Sequence, residues 1–251
     1  SFSVRSFAAT GDAIYFMVEG GAPHVKQLWS SDGTSAATLR LAEFDTGIWD
    51  DLVAREGAIY FAAEADGNGG IWRSDGTAAT TRRIAALDGL DISPASFAFL
   101  GDRIYWLGFA EDWSAGSLYG APIAGGDPEE LLQSCDGGFC TPLYENLWLY
   151  TIGDSLVFAR RQPGAAAVWR SGGFAGDAER LAPLCDAPDC SYGGYGSVVL
   201  GDRLFFVNRG RGTITEELWI SDGTAAGTLR LAGPQTAIPL GAPSDRSPIA
   251  S

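Results

Sequence analysis

Apolar residues along this chain come in short runs that glycine and aspartate cut off at regular intervals. Five runs open on a glycine, four of them on a Gly-Asp pair. They are Ala13-Ile14-Tyr15-Phe16 after Gly11-Asp12, Ala58-Ile59-Tyr60-Phe61 after Gly57, Arg103-Ile104-Tyr105-Trp106 after Gly101-Asp102, Ser155-Leu156-Val157-Phe158 after Gly153-Asp154, and Arg203-Leu204-Phe205-Phe206 after Gly201-Asp202. Runs this short, rich in aromatic and β-branched types and bounded by turn formers, predict strands. No apolar period of 3.6 residues is sustained for three turns, so the pattern predicts no helix.

A second landmark follows each run at a variable distance. Leu28-Trp29-Ser30-Ser31-Asp32-Gly33-Thr34 returns as Ile71-Trp72-Arg73-Ser74-Asp75-Gly76-Thr77 and as Leu218-Trp219-Ile220-Ser221-Asp222-Gly223-Thr224. Val168-Trp169-Arg170-Ser171-Gly172-Gly173-Phe174 is a fourth copy, and Leu118-Tyr119-Gly120-Ala121-Pro122 a degraded fifth. The anchors Trp29, Trp72, Tyr119, Trp169 and Trp219 are 43, 47, 50 and 50 residues apart. Each unit then reads as four strands, with a first run such as Ala95–Leu100 or Ser197–Leu200 preceding the glycine turn. Four strands per unit at this period predict a five-bladed β-propeller of four-stranded antiparallel blades. The blades fall at about 1–44, 45–90, 91–135, 136–185 and 186–233, with a Pro/Ala/Ser-rich tail over 234–251. On this phase no strand is exchanged, and blades one and five are expected to meet by side-chain packing alone.

The Ser-Asp-Gly-Thr turn has its own logic. Gly33, Gly76 and Gly223 can take positive φ without steric cost, and Asp32, Asp75 and Asp222 can accept from backbone N–H groups two residues on. Thr34, Thr77 and Thr224 are expected to start the next strand. Recurrent Trp29, Trp72, Trp169 and Trp219 are expected to lie buried between blades. The segment Glu217-Leu-Trp-Ile-Ser-Asp-Gly-Thr-Ala-Ala-Gly-Thr228 resembles the ELWxSDGTxxGT repeat of secreted and cell-surface bacterial proteins. That resemblance implies a β-propeller and an exported location. It carries no catalytic residue.

Composition narrows the function classes. The 251 residues carry a net charge of −14, which disfavours nucleic acid or an anionic membrane as partner. No stretch of eighteen apolar residues predicts a transmembrane helix, no signal peptide is visible, and Ser1 reads as a trimmed start. Cys135–Cys140 and Cys185–Cys190 are pairs of identical spacing that stand fifty residues apart, in the same place in consecutive units. Two local disulfides are the expected reading, ahead of free thiols or a metal, and they point to a periplasmic or extracellular location.

Candidate chemistry is sparse. His24 is the one histidine, and no G-x-S-x-G, phosphate loop or dinucleotide fingerprint occurs. Carboxylates crowd the connections between units, where they read as solvated charge, with Ca²⁺ binding through hard oxygens as the alternative. No other cofactor is expected, and Asp66-Gly67-Asn68 is only a fragment of a calcium loop. Trp49, Trp113 and Trp148 have no Trp counterpart in other units, and Tyr192 and Tyr195 lie beside a unit connection. With Asp50, Asp51 and Asp112 they form the candidate ligand set, because rings beside carboxylates can stack on sugars or anchor a protein. The reading is a non-catalytic extracellular binding or scaffold module for a protein or glycan partner. The alternatives are a carbohydrate-active enzyme using loop carboxylates and a structural subunit of a surface assembly.

Overall fold

The computed structural model describes residues 2–11, 13–20, 25–45, 52–87, 89–92, 97–110, 116–135, 148–162, 165–185, 192–210 and 216–232. These residues form strands and turns, and the strands fall into five antiparallel sheets in chain order. Blade one comprises β1 (Phe2–Thr10), β2 (Ala13–Gly20), β3 (Val25–Ser31) and β4 (Leu39–Phe44). Blade two comprises β5 (Val53–Arg55), β6 (Ala58–Ala65), β7 (Asn68–Ser74) and β8 (Arg82–Ala86). Blade three adds a short strand, β9 (Leu90–Ile92), to β10 (Ala98–Leu100), β11 (Arg103–Ala110), β12 (Gly116–Pro122) and β13 (Glu129–Cys135). Both β9 and β10 pair with β11, so the innermost strand of this blade is broken in two. Blade four is β14 (Leu149–Ile152), β15 (Ser155–Gln162), β16 (Ala165–Ser171) and β17 (Glu179–Cys185). Blade five is β18 (Tyr192–Leu200), β19 (Arg203–Gly210), β20 (Glu216–Ser221) and β21 (Leu229–Ala232). No strand is shared between sheets among the described residues.

Alternation along the second strand of each blade builds the core. Tyr15 and Met17 face downstream toward blade two and are buried with Leu28, Leu41, Ile59 and Phe61. Tyr60, Ile71 and Ile84 likewise meet Ile104 and Trp106 of blade three. The residues between them, Ile14 and Phe16 or Ile59 and Phe61, face upstream. Every blade thus has an upstream face carrying Ile/Leu-x-Phe/Trp and a downstream face carrying the intervening residues, as the two-residue period of a strand requires. Apolar packing between consecutive blades is the main term holding them together, since the backbone ladder bonds lie within each sheet and few hydrogen bonds cross from one blade to the next.

All five blades carry the same irregularity between their third and fourth strands. The register slips at Leu28/Trp29, Ile71/Trp72, Leu118/Tyr119, Val168/Trp169 and Leu218/Trp219. One residue of the fourth strand is left unpaired there, a β-bulge that re-aims a side chain. That residue is Leu41, Ile84, Leu131, Leu181 or Leu231, and in the first four blades it is buried against the next blade.

The Ser-Asp-Gly-Thr turn follows the expected chemistry, with one correction. Gly33, Gly76 and Gly223 have φ of 95, 99 and 81°, and Asp32 and Asp222 each accept from the N–H of the Thr two residues on, at 2.9 Å. The serine does more than the sequence suggested. Ser31, Ser74 and Ser221 hold the turn glycine's N–H at 3.0–3.3 Å and share a hydroxyl bond with Thr38, Thr81 and Thr228 at 2.7–2.8 Å. Thr34, Thr77 and Thr224 do not begin a strand. They sit inside the turn, where Thr34 and Thr224 bond their aspartate, and the fourth strand starts about five residues later. In the fourth copy Asp177 replaces the missing aspartate, accepting from the N–H of Gly172 at 2.7 Å and from Ser171.

The recurrent Trp residues are a second correction. Trp29, Trp72, Trp169 and Trp219 are half-buried rather than enclosed. Each is paired across the ladder with an aromatic residue of the second strand: Phe16, Phe61, Phe158 or Phe206. In blades two to five that ring, with Trp106 in blade three, takes the deep position and is fully enclosed. The pairs Phe16–Trp29, Trp106–Tyr119 and Phe206–Trp219 stack at 6.0–6.5 Å and 13–20°. The anchor ring therefore covers the deep ring and meets solvent on its outer side.

The expected packing of blade five on blade one is not seen at the positions that would make it. Ile14 is 44% exposed, whereas its counterparts Ile59, Ile104, Leu156 and Leu204 are at 0%. On blade five Leu218 is 40% and Leu231 49% exposed, whereas the same positions in the other blades are 0–8% exposed.

Candidate functional site

Strand direction sorts the connections to two ends. In an up-and-down four-stranded blade, the turns after the first and third strands lie at one end. The loop after the second strand and the link to the next blade lie at the other. The tight glycine turns and the Ser-Asp-Gly-Thr turns share the first end. The second end, here called the loop end, collects the segments whose length and sequence differ from blade to blade. The described residues tie its two loop sets together. The Asp45 N–H donates to the Glu64 carbonyl at 2.8 Å, and the Asp45 carboxylate accepts from the Gly67 N–H at 3.1 Å. Asp66 and Gly67 both take positive φ (54 and 72°), the conformation of a two-residue hairpin turn. Asp45 and Asp66 are thus spent on shaping backbone.

Most of the candidate ligand set lies outside what the structure describes. Trp49, Asp50, Asp51, Asp112 and Trp113 lie outside the described residues, as do the side chains of Tyr192 and Tyr195 in β18. So do the side chains of Cys135 and Cys185, with Cys140, Cys190 and His24. Trp148 is described, and it departs from expectation. It is 4% exposed, with its ring 4.8 Å from Phe206 of blade five and 6.3 Å from Tyr150. A ring without counterparts fills the gap between two blades, so its uniqueness reflects local packing and not a place on the rim. Among the described residues, no group of three or more His, Cys, Asp or Glu is placed to hold a metal ion.

One described polar cluster went unnoticed in the sequence. Glu217 accepts from Arg230 at 2.6 Å, from the Trp219 indole at 3.1 Å and from the Asn208 amide at 3.3 Å. Asn208 is buried and also donates to the Leu184 carbonyl of blade four at 3.4 Å, which stitches the two blades together. The signal was the residue two before each anchor, which changes from Gln27 to Gly70, Ser117, Ala167 and Glu217. The indole partner changes with it. Trp29 donates to Gln27, Trp72 donates to the Ala63 carbonyl, and the Arg160 guanidinium sits 4.8 Å from the centre of Trp169.

Burial pushes the Glu217 carboxyl up, and the bonds from Arg230, Trp219 and Asn208, with the Arg230 charge, outweigh it. The group therefore titrates below its ordinary value of 4.5 and stands ionised at neutral pH, as an acceptor and not a proton donor. A depressed folded pKa adds stability that is fully present above the unfolded value and is lost as pH falls through the folded one. The gap in thermal midpoint between wild type and Glu217→Gln is expected to be constant above about pH 4.5. Below that pH it should shrink steadily. A gap independent of pH down to full acid unfolding would show that the cluster does not hold the carboxylate.

No protein-family model matches this chain, and no curated protein matches it in sequence. Its likeness to solved structures is in the fold. A prolyl endopeptidase, studied for inter-domain dynamics in catalysis, matches at a TM-score of 0.60 and 12% identity over 94% of this chain and 35% of its own. An oligogalacturonate lyase in complex with manganese matches at 0.55 and 11%, over 93% and 72%. A chain of the nidogen/laminin complex matches at 0.51 and 12%, over 92% and 79%. This is the β-propeller fold. The chain spans only about a third of the prolyl endopeptidase, and identities this low carry the propeller across without any activity.

Proposed function

We propose that this propeller is a non-catalytic binding module, exported from the cell, that engages a protein partner through its loop end. One observation carries the reading. The residues that recur are consumed in building blades and in the turns at the opposite end, as the Ser-Asp-Gly-Thr hydrogen bonds show. The residues that do not recur, Trp49, Asp50, Asp51, Asp112, Trp113, Tyr192 and Tyr195, fall in the sequence in or beside the connections after second strands and between units, which we assign to the loop end. A rigid scaffold presenting variable loops from one end is the usual arrangement of a recognition surface. Aromatic rings in such loops supply anchors, and a net charge of −14 favours a partner with a basic surface. The exported location rests on the repeat resemblance and on the two expected disulfides, Cys135–Cys140 and Cys185–Cys190.

The test compares three immobilised proteins: wild type, a Trp49→Ala/Trp113→Ala double variant, and a Ser35→Lys control in an exposed turn at the other end. Each is exposed to proteins from the native source at low salt, and retained proteins are identified and then titrated in purified form. A basic protein held by wild type and the control, but lost from the double variant, supports the reading. Equal retention by all three sinks it. So does a wild type that binds a glycan array specifically while retaining no protein.

A further inference from the structure

The two end blades each present a face that the interior of the molecule always covers. On the upstream face of blade one, Ile14, Phe7 and Val4 are 44, 65 and 53% exposed. Phe7 lies across from Phe16 in the ladder, with rings 6.1 Å apart, and Phe16 stacks on Trp29. These residues form one continuous apolar ladder over three strands. On the downstream face of blade five, Val198, Leu200, Leu218 and Leu231 are all exposed. Ile152, the counterpart of Leu200 in blade four, is buried, and a Cβ on Gly223 of blade five would meet it at 3.8 Å.

A second, independent sign is the turn glycine. A Cβ on Gly76 would meet the Tyr15 hydroxyl of the blade before it at 2.7 Å, and one on Gly173 would meet Tyr105. One on Gly223 would meet Val157 and Ile152 of blade four. A Cβ on Gly33, in blade one, would meet nothing within 4 Å. The seat that a preceding blade fills in blades two, four and five is open in blade one.

We propose that these two faces bind each other between copies of this chain, so that blade one of a second copy docks on blade five of the first. The four interfaces inside the molecule establish the fit, because each joins a downstream face of this pattern to an upstream face of this pattern. The same residue types stand ready on blade five and blade one. Such a contact is heterologous. Each copy keeps one free face of each kind, so the association grows head to tail into a ring or a filament. The net charge of −14 opposes it, and added salt strengthens it by screening that repulsion. This surface is the side of the end blades and is separate from the loop end.

Sedimentation equilibrium on the full chain tests the proposal. The average mass of wild type is expected to rise with protein concentration, and to rise further at higher salt. Ile14→Glu removes one face and Leu231→Glu the other, so each variant alone stays monomeric. An equimolar mixture of the two retains one good face of each kind and forms a pair of chains, then stops. Phe7→Lys and Leu200→Lys repeat the design with other residues. All four sites are exposed in the single chain, so the monomeric variants should match dilute wild type in thermal midpoint. A wild type that is monomeric across the range overturns the proposal. So does either variant associating alone, or a mixture that grows beyond pairs.

Discussion

Truncating Trp106 to alanine is expected to remove about 3–5 kcal/mol of stability, more than loss of any of the recurrent Trp residues. Trp106 is fully enclosed between blades two and three, against Ile71, Ile84 and Ile104, and it stacks on Tyr119 at 6.0 Å. Trp72→Ala removes a ring of the same size, but one that is half-buried and covers Phe61 from outside, so its cost should be well below that of Trp106→Ala. Trp106→Phe should cost only a fraction as much. Phe61, Phe158 and Phe206 fill the same place in other blades, and the Trp106 indole N–H finds no partner among the described residues. Urea unfolding with an unchanged slope would measure all three. Should Trp106→Ala prove as mild as Trp72→Ala, the apolar contact between blades would not be the main stabilising term.

Leu131→Ala and Leu231→Ala make a matched pair at one position of the repeat. Both residues occupy the bulge of the fourth strand, but Leu131 is 6% exposed against blade four whereas Leu231 is 49% exposed. The first change is expected to cost about 2–5 kcal/mol, because it leaves a cavity where neighbours cannot close in. The second should stay within about 0.5 kcal/mol, as surface substitutions do, when measured at a dilution where the chain is single. Equal losses would show that blade five is covered within its own chain.

Much of the fold was legible because the repeat states it many times over. The glycine before each Ile-Tyr-Phe run fixed where the first turn lies, and the constant distance from anchor to fourth strand fixed the outer hairpin. That same constancy hid the bulge. A slip present in every copy leaves no irregularity in spacing, so Leu41 and its equivalents looked like ordinary strand residues. The deep ring was misassigned for a related reason. Trp is the larger and more conspicuous side chain, yet the smaller Phe on the second strand sits nearer the blade interface. The Ile-x-Phe alternation carried that signal, since residues two apart on a strand share a face. Trp148 shows the opposite hazard, in which a residue seen once was credited to function although a gap between two blades explains it. The loop-end candidates were legible only as a gathering of types, because irregular loops have no period from which to read geometry.

Among the described residues, every apolar cluster joins consecutive blades, so the molecule behaves as a line of neighbours. Stability in such an array is a sum of unit terms and junction terms, and the units at the ends lack one junction each. Opening should then begin at blades one and five and move inward. The largest apolar cluster, which links blades three, four and five through Leu107, Phe158 and Phe206, holds out longest. Amide protons would follow the same order, with the slowest exchange in β11, β15 and β16 and the fastest in β1 and β21. Blade order thus gives an otherwise repetitive molecule a graded interior, in which strands at equivalent places in the repeat differ in lifetime with the junctions on either side of them.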